Sequence, residues 1–141
     1  MYTNILCATD LSVEHNHYTE KAAAIAKQLR AKLYLLHVIE LPASIQIAQG
    51  LGFTELAHPV KDDARTVLSL IGENLGIPPD QQLVEIGSIK EHIFDQVEIL
   101  NCQLIIIGSQ SKTGFSNILG STAHAVVNHA PCDVLTLRVQ K

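Results

Sequence analysis

The sequence predicts an α/β domain built on a parallel sheet. Three observations carry that prediction. Five short, apolar, β-prone runs are spread along the 141 residues, four segments of helical periodicity separate them, and Gly, Pro and polar clusters mark the junctions. A chain of this length fits one domain over residues 1–141, burying roughly two thirds of the surface it exposes when unfolded.

The first run, Tyr2 to Ala8, reads as a buried strand ending at the polar turn Thr9-Asp10-Leu11-Ser12. From Glu14 to Arg30 the pattern turns helical, with Ala22, Ile25, Ala26 and Leu29 on one apolar face. Lys32 to Ile39 is the second strand, completing a βαβ unit whose crossover is right-handed in nearly all such units. Residues 40–58 are the least regular, with Pro42, Gly50 and Gly52 breaking any long period. Pro59 opens a helix running to about Leu75 with Val60, Ala64, Val67, Leu68 and Ile71 on one side, stopped by Gly76 and Pro78-Pro79.

Gln82 to Ile86 makes a short third strand. Ser88 and Glu91 form a capping box for a helix that turns Ile89, Ile93, Val97 and Leu100 inward. Leu104 to Ile107 is wholly apolar and therefore reads as a central strand. A glycine- and hydroxyl-rich loop follows from Gly108 to Gly114, then a helix from near Asn117 to about His129, closed by Pro131. Asp133 to Val139 is the fifth strand, whose Val134, Thr136, Arg138 alternation against Leu135, Leu137 and Val139 reads as an edge with one exposed face.

Composition excludes several functions. The formal net charge is −4, and the densest basic group, Lys27, Arg30 and Lys32, lies where a helix should end, so a nucleic-acid interface is not expected. The 17% of charged residues falls below the usual share of about 25%, as a surface partly covered by another subunit would show. The three cysteines, Cys7, Cys102 and Cys132, have no CxxC spacing and read as reduced thiols in the cytoplasm. No leader pattern opens the chain and no apolar run spans a membrane, so neither export nor membrane insertion is expected. His15 and His17 point to different faces of a helical turn, and His124 and His129 are five apart. With His37, His58 and His92 alone, no metal set is expected. Neither a Cys–His nucleophile nor paired carboxylates stands out, since Asp62-Asp63 reads as a solvated face, and no catalytic residue is assigned.

In open parallel sheets ligands bind beyond the carboxyl ends of the strands, where strand order reverses. Asp10 and Ser12 sit at one such end, where they fit either contacts to a ribose or amino group or caps of the next helix. The Gly108–Gly114 loop leads to Gly120-Ser121-Thr122, and its glycines, hydroxyls and Lys112 suit an anion as well as a plain chain connection. Neither a Walker motif nor a dinucleotide fingerprint is present, which excludes a conventional P-loop ATPase or Rossmann dehydrogenase.

Four blocks of the chain resemble the universal stress proteins: Ile5 to Ser12, His37-Val38, Leu104 to Gln110, and Gly120 to Leu135. The resemblance covers nearly the whole chain in order. It implies a five-stranded parallel sheet of order 3-2-1-4-5 with helices on both faces, of the adenine nucleotide alpha hydrolase-like kind, reversing between strands one and four. Some members of that family bind ATP, through G-x2-G-x9-G-[ST] after strand four, and others do not. By resemblance, Asp10 contacts the nucleotide, Val38 holds adenine through its backbone, Gly108 begins the phosphate loop, and Gly120, Ser121 and Thr122 meet the phosphates and ribose. The full implied set is Thr9, Asp10, Ser12, Val38, Gly108, Ser109, Ser111, Lys112, Gly114, Gly120, Ser121 and Thr122, for ATP (with Mg) or AMP.

Two departures stand out. Ser111 replaces the second glycine with only eight residues, 112–119, before Gly120, and Asp10-Leu11-Ser12 resembles the non-binding branch. Two functions therefore stay open: a nucleotide-binding stress protein with at most feeble hydrolysis, or a dimeric interaction or chaperone-like protein without a nucleotide site. The family commonly dimerises through its last strand, here 133–139, and other protein partners are open to either function.

Overall fold

The computed structural model describes residues 1–12, 14–53, 58–109 and 120–138. Their elements run β1 (Asn4–Ala8), α1 (Glu14–Gln28), β2 (Lys32–Ile39), α2 (Ala43–Gly50), α3 (His58–Leu75), β3 (Gln82–Ile86), α4 (Ile89–Ile99), β4 (Leu104–Gly108), α5 (Ser121–His129) and β5 (Asp133–Leu137). The five strands form one sheet of order β3-β2-β1-β4-β5. Every neighbouring pair is parallel, with Ile5 beside Leu33 on one flank and Leu104 on the other.

β1 and β4 carry unbroken apolar runs because helices cover both faces of the sheet. On one face Ile5, Cys7, Leu33, Leu35, Leu104 and Ile106 meet Tyr18, Ala22 and Ala26 of α1 and Ala64 and Leu68 of α3. On the other, Leu6, Leu36, Val38, Ile105 and Ile107 meet Ile93 and Val97 of α4 and Ala123 and Val126 of α5. The central strands thus alternate between two cores, and a one-residue slip in register would exchange every contact.

The helix faces differ in part from those expected. α4 places Ile89, Ile93, Val97 and Leu100 against the sheet as its periodicity predicts, with Ser88 Oγ accepting the Glu91 amide at 3.4 Å. α3 buries Ala64 and Leu68 and packs Ile71 and Leu75 beside them, while Val60 and Val67 lie exposed on the outer side with Leu70. Leu29 is likewise exposed, because α1 ends at Gln28 and Arg30 turns away at φ 55°.

Several boundaries shift. β1 begins at Asn4, not Tyr2; β4 continues one residue to Gly108; and β5 ends at Leu137, with Val139 outside the described residues. Gly120 is the N-cap of α5, at φ −58° and ψ 155°, so α5 starts at Ser121; Asn117, the start expected from the sequence, lies outside the described residues. Within the region read as irregular, Ala43–Gly50 forms a helix that buries none of its residues. β5 also lacks a fully exposed face: Leu135 and Leu137 pack on one core, and Val134 on the other.

Candidate functional site

Sheet order reverses at β1, whose neighbours are β2 and β4. At the carboxyl end of β1 the chain is held by a chain of short hydrogen bonds. The Thr9 amide donates to the Leu36 carbonyl at 2.9 Å, and His37 Nδ1 lies 2.8 Å from the Thr9 carbonyl. The Leu11 amide donates to Thr9 Oγ1 at 3.1 Å and the Ser12 amide to Asp10 Oδ1 at 2.8 Å. The last two bonds are the side-chain turns that Thr and Asp form with the backbone two residues on. Thr9 is buried, whereas Asp10 and Ser12 are half-buried at the rim.

Leu11 sits between them at φ 64°. That backbone region costs an ordinary L-residue roughly 1–2 kcal/mol. Its side chain packs against the α1/α3 core, so burial of an isobutyl group offsets the strain.

The second wall is the end of β4. Gly108 pairs with Leu137 of β5, the Ser109 amide donates to the Leu137 carbonyl at 2.9 Å, and the Gly120 amide donates to the Ser109 carbonyl at 3.1 Å. The connection between β4 and α5 is therefore tied at its base, and Gly120 returns to the strand end it left. Gly120 is buried and its φ is ordinary, so the backbone conformation there does not itself demand glycine. Having no side chain, it cannot cap α5, and the amides of the first turn, from Ser121 and Thr122 onward, receive no side-chain acceptor from it.

Thr9, Asp10, Ser12, Gly108, Ser109, Gly120, Ser121 and Thr122 thus lie around one end of the sheet, on β1, β4 and the start of α5. Val38 is near the carboxyl end of β2 with its side chain buried in the α4/α5 core, so only its backbone is offered to the rim. Ser111, Lys112 and Gly114 lie outside the described residues. His37 was visible in the sequence only as part of a motif. Its ring braces the peptide that carries Asp10, a role that needs the β1–β2 pairing to become apparent.

Beneath the site, the Cys7 thiol donates to Tyr18 Oη and Tyr18 Oη donates to the Ile106 carbonyl, both at 3.3 Å. Burial pushes the Cys7 thiol up to about 12, against a smaller opposing effect of the Tyr18 hydroxyl. Burial, then Cys7 and Asp10, raise the Tyr18 phenol well above its ordinary value. Cys7 is an inert core thiol, as its position in an apolar strand predicts. Among the described residues no group of three His, Cys, Asp or Glu side chains could hold a metal ion.

A protein-family model described as the universal stress protein family matches residues 1–138. The chain belongs to the universal stress protein family. Universal stress protein A homolog 2 of Coxiella burnetii is 33% identical over 141 residues, covering 99% of this chain and 97% of that one. The solved universal stress protein UspA from Lactobacillus plantarum is 28% identical, covers 97% of this chain and 98% of its own, and superimposes with a TM-score of 0.69. A universal stress protein solved in complex with cAMP shares the fold at a TM-score of 0.70, with 16% identity and 99% and 98% coverage. No helix of this universal stress protein, among the described residues, is long and apolar enough to cross a membrane.

Proposed function

We propose that this universal stress protein binds an adenine nucleotide, ATP with Mg or AMP, at the carboxyl ends of β1 and β4. One observation carries the reading. The first turn of α5 opens at the strand reversal behind a glycine that has no side chain of its own to cap it, with Ser121 and Thr122 at its start. Such a helix start favours a phosphate by its free N–H groups and its dipole. Asp10 faces the same rim from β1 and suits a ribose hydroxyl or an exocyclic amine, and the backbone near Val38 suits the base. A universal stress protein of this fold has been solved in complex with cAMP, itself an adenine nucleotide. Binding is the function, in the cytoplasm, with no residue placed as general base and hydrolysis at most weak.

A second reading has its own observation. Asp10 already accepts the Ser12 amide, and Leu11 occupies a left-handed backbone position with its side chain packed down, so the turn is complete without a ligand. On that reading the protein acts through its surfaces as a dimeric interaction or chaperone-like module.

Titration calorimetry of nucleotide-free protein with Mg-ATP and with AMP separates the two. Wild type binds saturably, and Gly120→Val, whose backbone angles accept any residue, weakens binding on the order of a hundredfold, equivalent to about 3 kcal/mol of blocked approach. Absence of heat up to millimolar nucleotide, from folded protein, establishes the second reading.

On either reading the protein is a homodimer through residues 133–139. β5 is the outer strand of the sheet, so its free backbone edge can pair with its symmetry mate. Light scattering at micromolar concentration is expected to give twice the 15.4 kDa chain mass; the mass of one chain overturns the dimer.

A further inference from the structure

His37 stands where the pairing between β1 and β2 stops. Successive peptide groups of a strand turn opposite ways, so alternate residues of β2 bond alternate neighbours. Towards β1, the Lys32 amide donates to the Thr3 carbonyl at 2.8 Å and the Leu36 carbonyl accepts the Thr9 amide at 2.9 Å. Towards β3, the Ile39 carbonyl accepts the Gly87 amide at 2.9 Å. The even-numbered residues of β2 therefore address β1, and Val38 is the next of them.

A further rung would run from the Val38 amide to the Thr9 carbonyl. That backbone bond is not made among the described residues, and His37 Nδ1 lies 2.8 Å from the same carbonyl instead. A carbonyl only accepts, so Nδ1 carries a proton and donates. Beyond Thr9 the chain turns off through Leu11 at φ 64°. Val38 thus presents an amide donor and a carbonyl acceptor side by side at the end of β1, while its side chain stays in the α4/α5 core. Backbone groups at such a place call for a partner from solvent or ligand.

We propose that His37 is a positioning residue: it occupies the Thr9 carbonyl, keeps the β1–β2 ladder from closing, and so leaves the Val38 backbone to select the base. The inference rests on the nucleotide reading proposed for this site and adds its base selectivity. Adenine offers N1 as an acceptor and N6–H as a donor, which match the Val38 amide and carbonyl. In the same pose hypoxanthine, with N1–H and O6, sets donor against donor and acceptor against acceptor. AMP is therefore preferred to IMP, and the preference depends on His37.

The test compares the full chain with His37→Leu, which keeps bulk and loses the donor, and His37→Asn, whose side-chain amide keeps one. Amide hydrogen exchange of nucleotide-free protein, followed by NMR, needs no ligand. In wild type and His37→Asn the Val38 amide should exchange at least about tenfold faster than that of Leu36, and in His37→Leu it should slow about tenfold as it takes the vacated Thr9 carbonyl. Calorimetry should give wild type and His37→Asn a preference for AMP over IMP of at least about tenfold, falling in His37→Leu to within about threefold of parity. A merely structural role weakens both nucleotides alike and keeps their ratio, which overturns the proposal. So does a wild-type Val38 amide as protected as that of Leu36, or one that His37→Leu leaves unchanged. Should His37→Leu fail to fold, the wild-type exchange rate and the wild-type AMP to IMP ratio decide. The expected exchange pattern without heat from either nucleotide on wild type overturns the nucleotide reading, and base selection with it, while the open ladder stands.

Discussion

Tyr18→Ala is expected to lower unfolding stability by about 4 kcal/mol, the range for truncating a buried aromatic to alanine. Tyr18 is 1% exposed and sits where α1 crosses the sheet, among Ile5, Cys7, Leu104 and Ile106. Truncation would leave a void between β1 and β4, the two strands that position Asp10 and Gly108. Tyr18→Phe separates packing from polarity. It keeps the ring and removes only the hydroxyl that accepts from Cys7 and donates to the Ile106 carbonyl, so about 1 kcal/mol is expected. Urea unfolding of the three proteins measures both differences. Equal losses for Phe and Ala would show that the hydroxyl carries the contact; a loss below 1 kcal/mol for Ala would show that α1 collapses onto the gap.

Tyr18 itself shows what the sequence conveys and what it does not. The apolar stripe of α1 announces Ala22 and Ala26, but those are small, and the residue that fills the space above them is polar at its tip. A tyrosine near a helix start gives no signal of burial; its partners, Cys7 and Ile106, lie 11 and 88 residues away. The strands were legible because β1 and β4 are buried on both faces and must be apolar throughout. β2 and β3 keep the bounds expected of them, Lys32–Ile39 and Gln82–Ile86. α2 was not legible because periodicity reports a buried face and this helix has none. Pro42 and Gly50 read as breakers, yet Pro42 occupies the N-cap and Gly50 the last turn, positions that suit a short helix equally well. Val60 and Val67 follow the same logic in reverse: they fit an apolar stripe on α3, but the stripe that packs is the one through Ala64, Leu68, Ile71 and Leu75.

The site divides along a similar line. The carboxylate and hydroxyl cluster after β1 and the glycine and hydroxyl cluster after β4 were visible, and the parallel strands bring them to one end of the sheet. The internal bonds of the Thr9–Ser12 turn were not visible, because an Asp that binds a ligand and an Asp that binds its own loop look alike in one dimension. Leu11 at positive φ belongs with them, since nothing in a single sequence marks a leucine for that backbone region.

Alkaline destabilisation should be steep and should trace largely to Cys7. Its folded-state thiol is held up at about 12 by burial, against 9.0 when unfolded. A raised thiol contributes stability that is fully present below the unfolded value and is lost as pH climbs towards the folded one, because only the unfolded chain releases the proton. At pH 10.5 the loss from this residue alone is about 2 kcal/mol, at about 1.4 kcal/mol per pH unit above 9. Cys102 and Tyr18, raised by burial as well, steepen the fall in the same direction. Cys7→Ala removes the group, at the cost of a small cavity that does not depend on pH. The variant should be the less stable protein at pH 7.5 and should close that gap, or reverse it, by pH 10.5. Parallel urea midpoints for the two proteins across that interval would mean that the β1 thiol ionises as freely in the folded chain as in the unfolded one. In that case the covering of β1 by α1, on which the whole placement of Asp10 depends, would be looser than the core contacts of Tyr18 and Ala22 require.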